Sequence, residues 1–184
     1  MVTAKVPERI RWAVETLEPG PDDQLLEIGC GAGVAVAAVC ERLVGGRIVA
    51  IDRSATAISR ARQRNAEHIA AGKAVLQTVA LERLQPSEVL GARERFDKVF
   101  AMNVNLFWVR SPARELDLIR GLLGPGGALY LFYGYGGRGS AAAGKAGQDA
   151  SRISGVLTEH LRERGFAVKL LQGGGVLGVV ATSQ

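Results

Sequence analysis

The chain has 184 residues, 47% hydrophobic and 22% charged, the mix of an ordinary soluble protein and, at about 100–200 residues per domain, the length of one domain. Its two cysteines, Cys30 and Cys40, fall in apolar runs, which excludes a disulfide scaffold or a multi-cysteine metal site and points to a reducing, cytoplasmic compartment. Basic residues outnumber acidic ones 23 to 18, a net charge of +5 that invites nucleic acid as a partner; the basic residues are spread along the chain, however, rather than gathered on one face.

The N-terminus carries Lys5, Glu8 and Arg9 without an apolar core, so no signal peptide is expected. The longest apolar stretches, Val34–Cys40 and Val176–Ala181, fall far short of the ~20 residues of a membrane-spanning helix. No membrane partner is expected.

Residues 7–18 place Ile10, Ala13, Val14 and Leu17 at helical spacing behind Pro7. After a turn at 19–23, Gln24–Ile28 reads as a strand, Gly29–Gly33 as a glycine loop and the apolar stretch to about Leu43 as a helix. Gly45 and Gly46 stop that helix before a buried strand, Arg47–Ile51, which Asp52 ends. Ser54 is placed to cap a helix over Ala55–Ala71. A third strand is expected at Ala74–Val79, a short helix near Pro86–Leu90 and a fourth strand at Phe96–Met102.

Ser111–Leu123 reads as a helix closed by Gly124-Pro125-Gly126-Gly127, and Ala128–Tyr133 as the fifth strand. The glycine- and alanine-rich piece 134–148 is expected to be a loop and a candidate lid. A helix over Ala150–Gly165 with a glycine cap and a final strand pair, Ala167–Leu171 and Val176–Ala181, complete the chain. Alternating strands and helices specify βαβ units on a largely parallel sheet covered on both faces. Such a sheet binds ligands beyond the C-terminal ends of its strands, at the switch point in strand order.

The chemistry concentrates at Leu25-Leu26-Glu27-Ile28-Gly29-Cys30-Gly31-Ala32-Gly33. Glycines at alternate positions straight after a strand let the backbone approach a bound ligand where any Cβ would collide. The dinucleotide fingerprint G-x-G-x-x-G needs a glycine where Val34 stands, or, begun at Gly31, where Val36 stands. Asp52, at the end of the second strand, can accept hydrogen bonds from a ribose diol or serve the next helix as a cap partner. Glu27 can face a cationic ligand or organise the loop amides.

With these residues in this order, the chain resembles a class I S-adenosylmethionine-dependent methyltransferase of the small-molecule type over about residues 20–133, with a compatible tail. The resemblance implies an α/β, Rossmann-like doubly wound sheet, mostly parallel with an antiparallel C-terminal strand, helices on both faces, in a single domain spanning 1–184. It implies S-adenosylmethionine as cofactor, with Glu27, Gly29, Cys30, Gly31 and Gly33 as the glycine motif and Asp52 as the ribose-binding acid. Arg53 takes the family position beside the adenine. The end of the third strand, often Asp-Ala in the family, is here Ala80-Leu81-Glu82. Ala80 and Leu81 are still placed at the adenine, and Asn103, leaving the fourth strand, near the methionine moiety. Leu122-Leu123-Gly124-Pro125-Gly126-Gly127 is similar to the family's Leu-Lys-Pro-Gly-Gly turn.

Asn105, Trp108, Tyr133 and Tyr135 follow the fourth and fifth strands and are the substrate-side candidates. His68 and His160 stand away from the strand ends, so no catalytic residue is assigned. The Asn/Asp-Pro-Pro-Tyr motif of base-directed amino methyltransferases is replaced by Asn103-Val104-Asn105-Leu106. No cysteine follows the fourth strand, and the acid pattern of metal-dependent catechol methylation is absent. The expected activity is methyl transfer to a small-molecule acceptor, with the N-terminal helix (1–19) as a candidate cap and a homodimer as a candidate assembly. An RNA methyltransferase, or a catalytically degenerate cofactor-binding partner subunit, is the alternative.

Overall fold

The computed structural model describes residues 6–85, 87, 95–109, 111–134 and 154–183, with backbone alone at Trp108 and Val109. Most of the expected 86–90 helix, residues 135–148 of the expected loop and the start of the 150–165 helix lie outside the described residues.

Seven strands form one sheet in the order β3-β2-β1-β4-β5-β7-β6. They are β1 (Gln24–Ile28), β2 (Arg47–Asp52), β3 (Ala74–Thr78), β4 (Phe96–Met102), β5 (Leu123–Tyr133), β6 (Phe166–Gly173) and β7 (Val176–Ser183). The first five pair in parallel, whereas β7 runs antiparallel to both β5 and β6. This is the mostly parallel, doubly wound sheet expected. The central strands are largely apolar because both their faces are covered. All five residues of β1 are buried.

Two apolar layers cover the sheet. On one face α1 (Glu8–Leu17), α2 (Val34–Cys40) and α3 (Ala55–Arg64) pack Val14, Leu17, Val36, Val39 and Ile58 against Leu25, Phe100 and Phe132. On the other, α6 (Ala113–Leu122) and α7, a helix over 154–163, bring Leu116, Ile119, Leu157 and Leu161 onto Leu26, Val49, Val99 and Leu129. Two short helices, α4 (Ala66–Ala70) and α5 (Leu106–Val109), complete the helical elements. Among the described residues no helix is long and apolar enough to cross a membrane.

Several boundaries differ from the sequence pattern, and the larger differences have a physical reason. The helix expected over 55–71 is interrupted at Asn65, which closes α3 and precedes α4; its buried side chain is bonded to Gly33 and Ala61 instead of facing solvent. α2 ends at Cys40 rather than Leu43, the chain turning there through Arg42 N–H to Val39 O and Leu43 N–H to Cys40 O bonds. The fifth strand begins at Leu123, opposite Phe96, and reaches the regular register at Lys98 and Ala128 only after an irregularity that the glycine-rich turn absorbs. The glycine cap of α7 is as expected, with Gly165 at φ 77°.

α1 joins the core as well as lying over it. Ile10, Ala13, Val14 and Leu17 are buried, and the Trp12 ring meets Phe132 edge-on at 5.9 Å. β6 and β7 meet that ring through glycines. A Cβ on Gly173 would fall on Trp12 Nε1, and one on Gly174 would lie 2.9 Å from Trp12 Cβ.

Candidate functional site

The strand order reverses direction between β1 and β4, the switch point at which a doubly wound sheet opens a crevice beyond its strand ends. Glu27 lies opposite Ala50 of β2 and Phe100 of β4. The chain then leaves β1 with Gly29 and Cys30 both donating their N–H groups to Ile51 O, at 2.8 and 3.1 Å. These bonds fix where the loop starts.

The three loop glycines meet three different demands. Gly29, at φ 73°, is where the chain leaves β1 against β4's exit: a Cβ there would lie 2.6 Å from Val104 Cγ2. Gly33, at φ 69°, packs on α3, where a Cβ would lie 2.6 Å from Asn65 Nδ2 and 2.9 Å from Ala61 Cβ. Gly31, at φ 54°, has no atom within 4 Å of a Cβ position. Gly29 and Gly33 are thus required by the protein's own packing, whereas the Cβ position of Gly31 faces open space.

Asp52 ties the loop to the second strand. Its Oδ2 accepts from Gly31 N–H at 3.0 Å and its Oδ1 from Ser54 N–H at 2.9 Å, while its backbone oxygen accepts from Val79 N–H at 3.1 Å. Ser54 in turn caps α3, accepting from Ala57 N–H. The cap-partner role of Asp52 is thus filled, and each carboxylate oxygen keeps a further lone pair for another donor.

Glu27 contrasts with it. It is 4% exposed, and its Oε2 has no hydrogen-bond partner among the described residues. Burial, and then the negative charge of Asp52, push its carboxyl up to about 8. Cys30 is buried with its Sγ directed at Gly31 O. Burial, followed by the fields of Glu27 and Asp52, pushes its thiol up to about 12, so it stays a neutral packing group.

The remaining sequence-derived residues divide by position. Arg53 is exposed beside Asp52, and Ala80 follows β3 in a half-buried position. Leu81 packs its side chain into the core at the start of a 3-10 turn. Asn103, at φ 54°, spends its side-chain amide on Gly134: Nδ2 donates to Gly134 O and Oδ1 accepts from Gly134 N–H, both at 2.8 Å. Asn105 is exposed and Tyr133 half-buried against the core. The side chain of Trp108 and all of Tyr135 lie outside the described residues.

His160 is engaged away from the crevice, its Nε2 3.3 Å from Ser111 Oγ and its Nδ1 3.5 Å from Glu163 Oε2. A cleft of about 670 Å³ beside β3 is lined by Arg47, Arg62, Ile69 and Leu76 and includes none of the residues around the glycine loop. Residues that sequence reasoning does not single out also shape the loop. Asn65 fixes Gly33 through hydrogen bonds of 3.0 Å to Gly33 O and 2.8 Å to Ala61 O, Arg64 Nε donates to Ala32 O at 3.0 Å, and Val104, in the exit of β4, walls Gly29.

Residues 26–129, more than half the chain, match the family model described as a methyltransferase domain. The sequence matches no curated protein. Among solved structures the fold is similar to a SAM-dependent methyltransferase from Aquifex aeolicus (TM-score 0.70, 15% identity, covering 98% of this chain and 100% of that one). It is also similar to a methyltransferase from Haloferax volcanii in complex with the Trm112 methyltransferase activator (TM-score 0.73, 16% identity, 97% and 90%). The pyocyanin biosynthetic protein PhzM is a third (TM-score 0.72, 14% identity), of which the chain covers 55% while 97% of this chain is matched. The chain thus spans only about half of that larger neighbour.

Proposed function

The chain belongs to the methyltransferase domain family, and on that premise we propose that it transfers the methyl group of S-adenosylmethionine to a small-molecule acceptor. The observation that carries this reading is the glycine loop at the β1–β4 switch point, where the Cβ position of Gly31 faces open space, Asp52 Oδ2 accepts from Gly31 N–H, and Glu27 Oε2 is without a partner among the described residues. S-adenosylmethionine supplies a methyl group on a sulfonium, a carbon that a nucleophile displaces in line.

The residues present fit that group. Gly31 allows close approach of the backbone. Asp52, held by two N–H groups, retains acceptor positions for a pair of ribose hydroxyls. Glu27 offers a carboxyl oxygen without a protein partner to a cationic ligand end. Arg53, Ala80 and Leu81 border the position of the base, while Asn103 acts by holding the exits of β4 and β5 together.

On the acceptor side Asn105, Trp108, Tyr133 and Tyr135 are the candidates, with α1 as a wall of the same domain. Alignment of nucleophile, methyl and leaving sulfur supplies several kcal/mol without a base, in keeping with a site to which no proton acceptor is assigned. Methyl-labelled S-adenosylmethionine, offered with small metabolites and separately with RNA, tests the acceptor class. Label in a small molecule supports it; label confined to RNA overturns it. A second reading, a chain that works with an activating protein, is favoured by the likeness to the Haloferax volcanii enzyme held in such a complex.

A further inference from the structure

We propose that ligand binding in the glycine crevice drives a proton off Glu27, so that the site closes on its ligand as an ion pair and releases one proton to solvent. This rests on the reading of the crevice as the S-adenosylmethionine site and concerns the protonation of one of its carboxyls.

The argument starts from two neighbouring carboxyls in unlike surroundings. Asp52 is half-exposed and receives N–H donors on both oxygens, from Gly31 and Ser54, so it holds the negative charge. Glu27 is 4% exposed, with Ala50 and Phe100 beside it in the sheet. Its Oε2 receives no donor, and no described ion pair includes it.

Among the described residues the ionisable groups that act on it supply no cation; Arg64 of α3 reaches the loop but directs its Nε to Ala32 O at 3.0 Å. β2 contributes Asp52, the loop Cys30 and α2 Cys40, and both thiols are pushed up to about 12, chiefly by burial. α1 presents Ala13, Val14 and Leu17 to this layer, and β4 presents Phe100 and Met102. An unpaired carboxylate buried there carries a large desolvation cost, and a second negative charge beside it raises that cost. In the absence of a cationic ligand Glu27 is therefore kept as the neutral acid. The upward displacement of its carboxyl from burial and Asp52 agrees with the geometry.

A ligand carrying an ammonium or sulfonium supplies the missing positive charge. The balance is Glu27–CO₂H plus cationic ligand giving Glu27–CO₂⁻ against that cation plus one H⁺ in solution. No other bond changes. Two carboxyls whose surroundings drive their protonation apart are a recurrent device of active sites.

The test is calorimetric titration of the whole protein with S-adenosylmethionine and with S-adenosylhomocysteine at pH 7, in buffers of different ionisation enthalpy. The expected result is close to one proton released per ligand bound, with affinity rising nearly tenfold per pH unit between pH 6 and 7. In Glu27→Gln both the buffer dependence and the pH slope vanish. Infrared spectroscopy of the unaltered protein gives a readout free of any variant: a protonated-carboxyl band present before ligand addition is lost afterwards. Binding with buffer-independent heats and a flat pH profile overturns the inference while leaving the cofactor reading intact. An unchanged proton release in Glu27→Gln also overturns it. Failure of a folded protein to bind either ligand removes both.

Discussion

Asn103 and Gly134 are joined by two reciprocal hydrogen bonds of 2.8 Å, the side-chain amide of one reading the backbone of the other. The pair acts as an extra rung of the β4–β5 ladder, made by a side chain because the backbone at Asn103 has turned to φ 54°. Asn103 N–H also donates to Phe132 O at 2.9 Å. The exits of β4 and β5 are thereby held together.

Asn103→Ala loses both bonds and forces alanine into a left-handed backbone, at a cost of about 2–4 kcal/mol in urea unfolding. Asn103→Gly relieves the backbone but not the bonds, so it is milder by about 1 kcal/mol. Asn103→Asp keeps the acceptor for Gly134 N–H and turns the donor into an oxygen facing Gly134 O. A ranking in which glycine is no better than alanine would remove the backbone part of this account.

Gly31 and Gly33 separate stability from ligand binding. Gly33→Ala combines a left-handed φ with contacts of 2.6–3.1 Å to Asn65 and Ala61, and is expected to cost about 3 kcal/mol or more. Gly31→Ala meets no protein atom and costs only about 1–2 kcal/mol of backbone strain. For cofactor affinity measured on folded protein the order is expected to reverse, because in the proposed site it is Gly31 that faces the ligand. Thermal unfolding and titration of the two variants decide it.

Much of this was legible beforehand, and the misses share a cause. The parallel strands show as largely apolar runs such as Leu25–Ile28 and Ile48–Ile51, and the order Glu27–Gly29–Gly31–Gly33 followed by Asp52 marks a loop and a strand end that the fold does join, through Gly31 N–H to Asp52. Asn65 looks like one more polar position in a helical pattern, because its role depends on Gly33, 32 residues away. The isolation of Glu27 is likewise invisible in its neighbours along the chain; it arises from what β2, β4 and α2 place around it. Local patterns specify elements, while contacts across the fold decide what each polar group is left to do.

Trp12 and Gly173 offer a test of how α1 is seated. Trp12→Ala empties the space against Phe132 and the β6–β7 glycines, costing about 3 kcal/mol. Gly173→Ala places a methyl on the indole and costs about 1–3 kcal/mol. In the double variant the second cost largely disappears, a coupling of at least about 1 kcal/mol in a double-mutant cycle. Additive costs would show that α1 is not held by that ring.

The raised carboxyl of Glu27 also makes stability depend on pH. Its folded value, about 8, lies above the ordinary carboxyl value of 4.5. The unfolded chain therefore gives up this proton first as pH rises, and stability falls between roughly pH 4.5 and 8. Glu27→Gln removes that fall. Its melting temperature is expected to exceed that of the parent at pH 8, with the gap closing toward pH 5. A gap that is constant with pH would mean that the carboxyl is charged in the folded protein.

The central claim, that the crevice between Gly31, Asp52 and Glu27 holds the methyl donor, is tested most directly by calorimetric titration with S-adenosylmethionine and S-adenosylhomocysteine. Saturable micromolar binding of both is expected, weakened by about 1–3 kcal/mol in Asp52→Ala, the scale of lost charge-assisted hydrogen bonds. A folded protein that binds neither, or an Asp52→Ala variant with undiminished affinity, would contradict it.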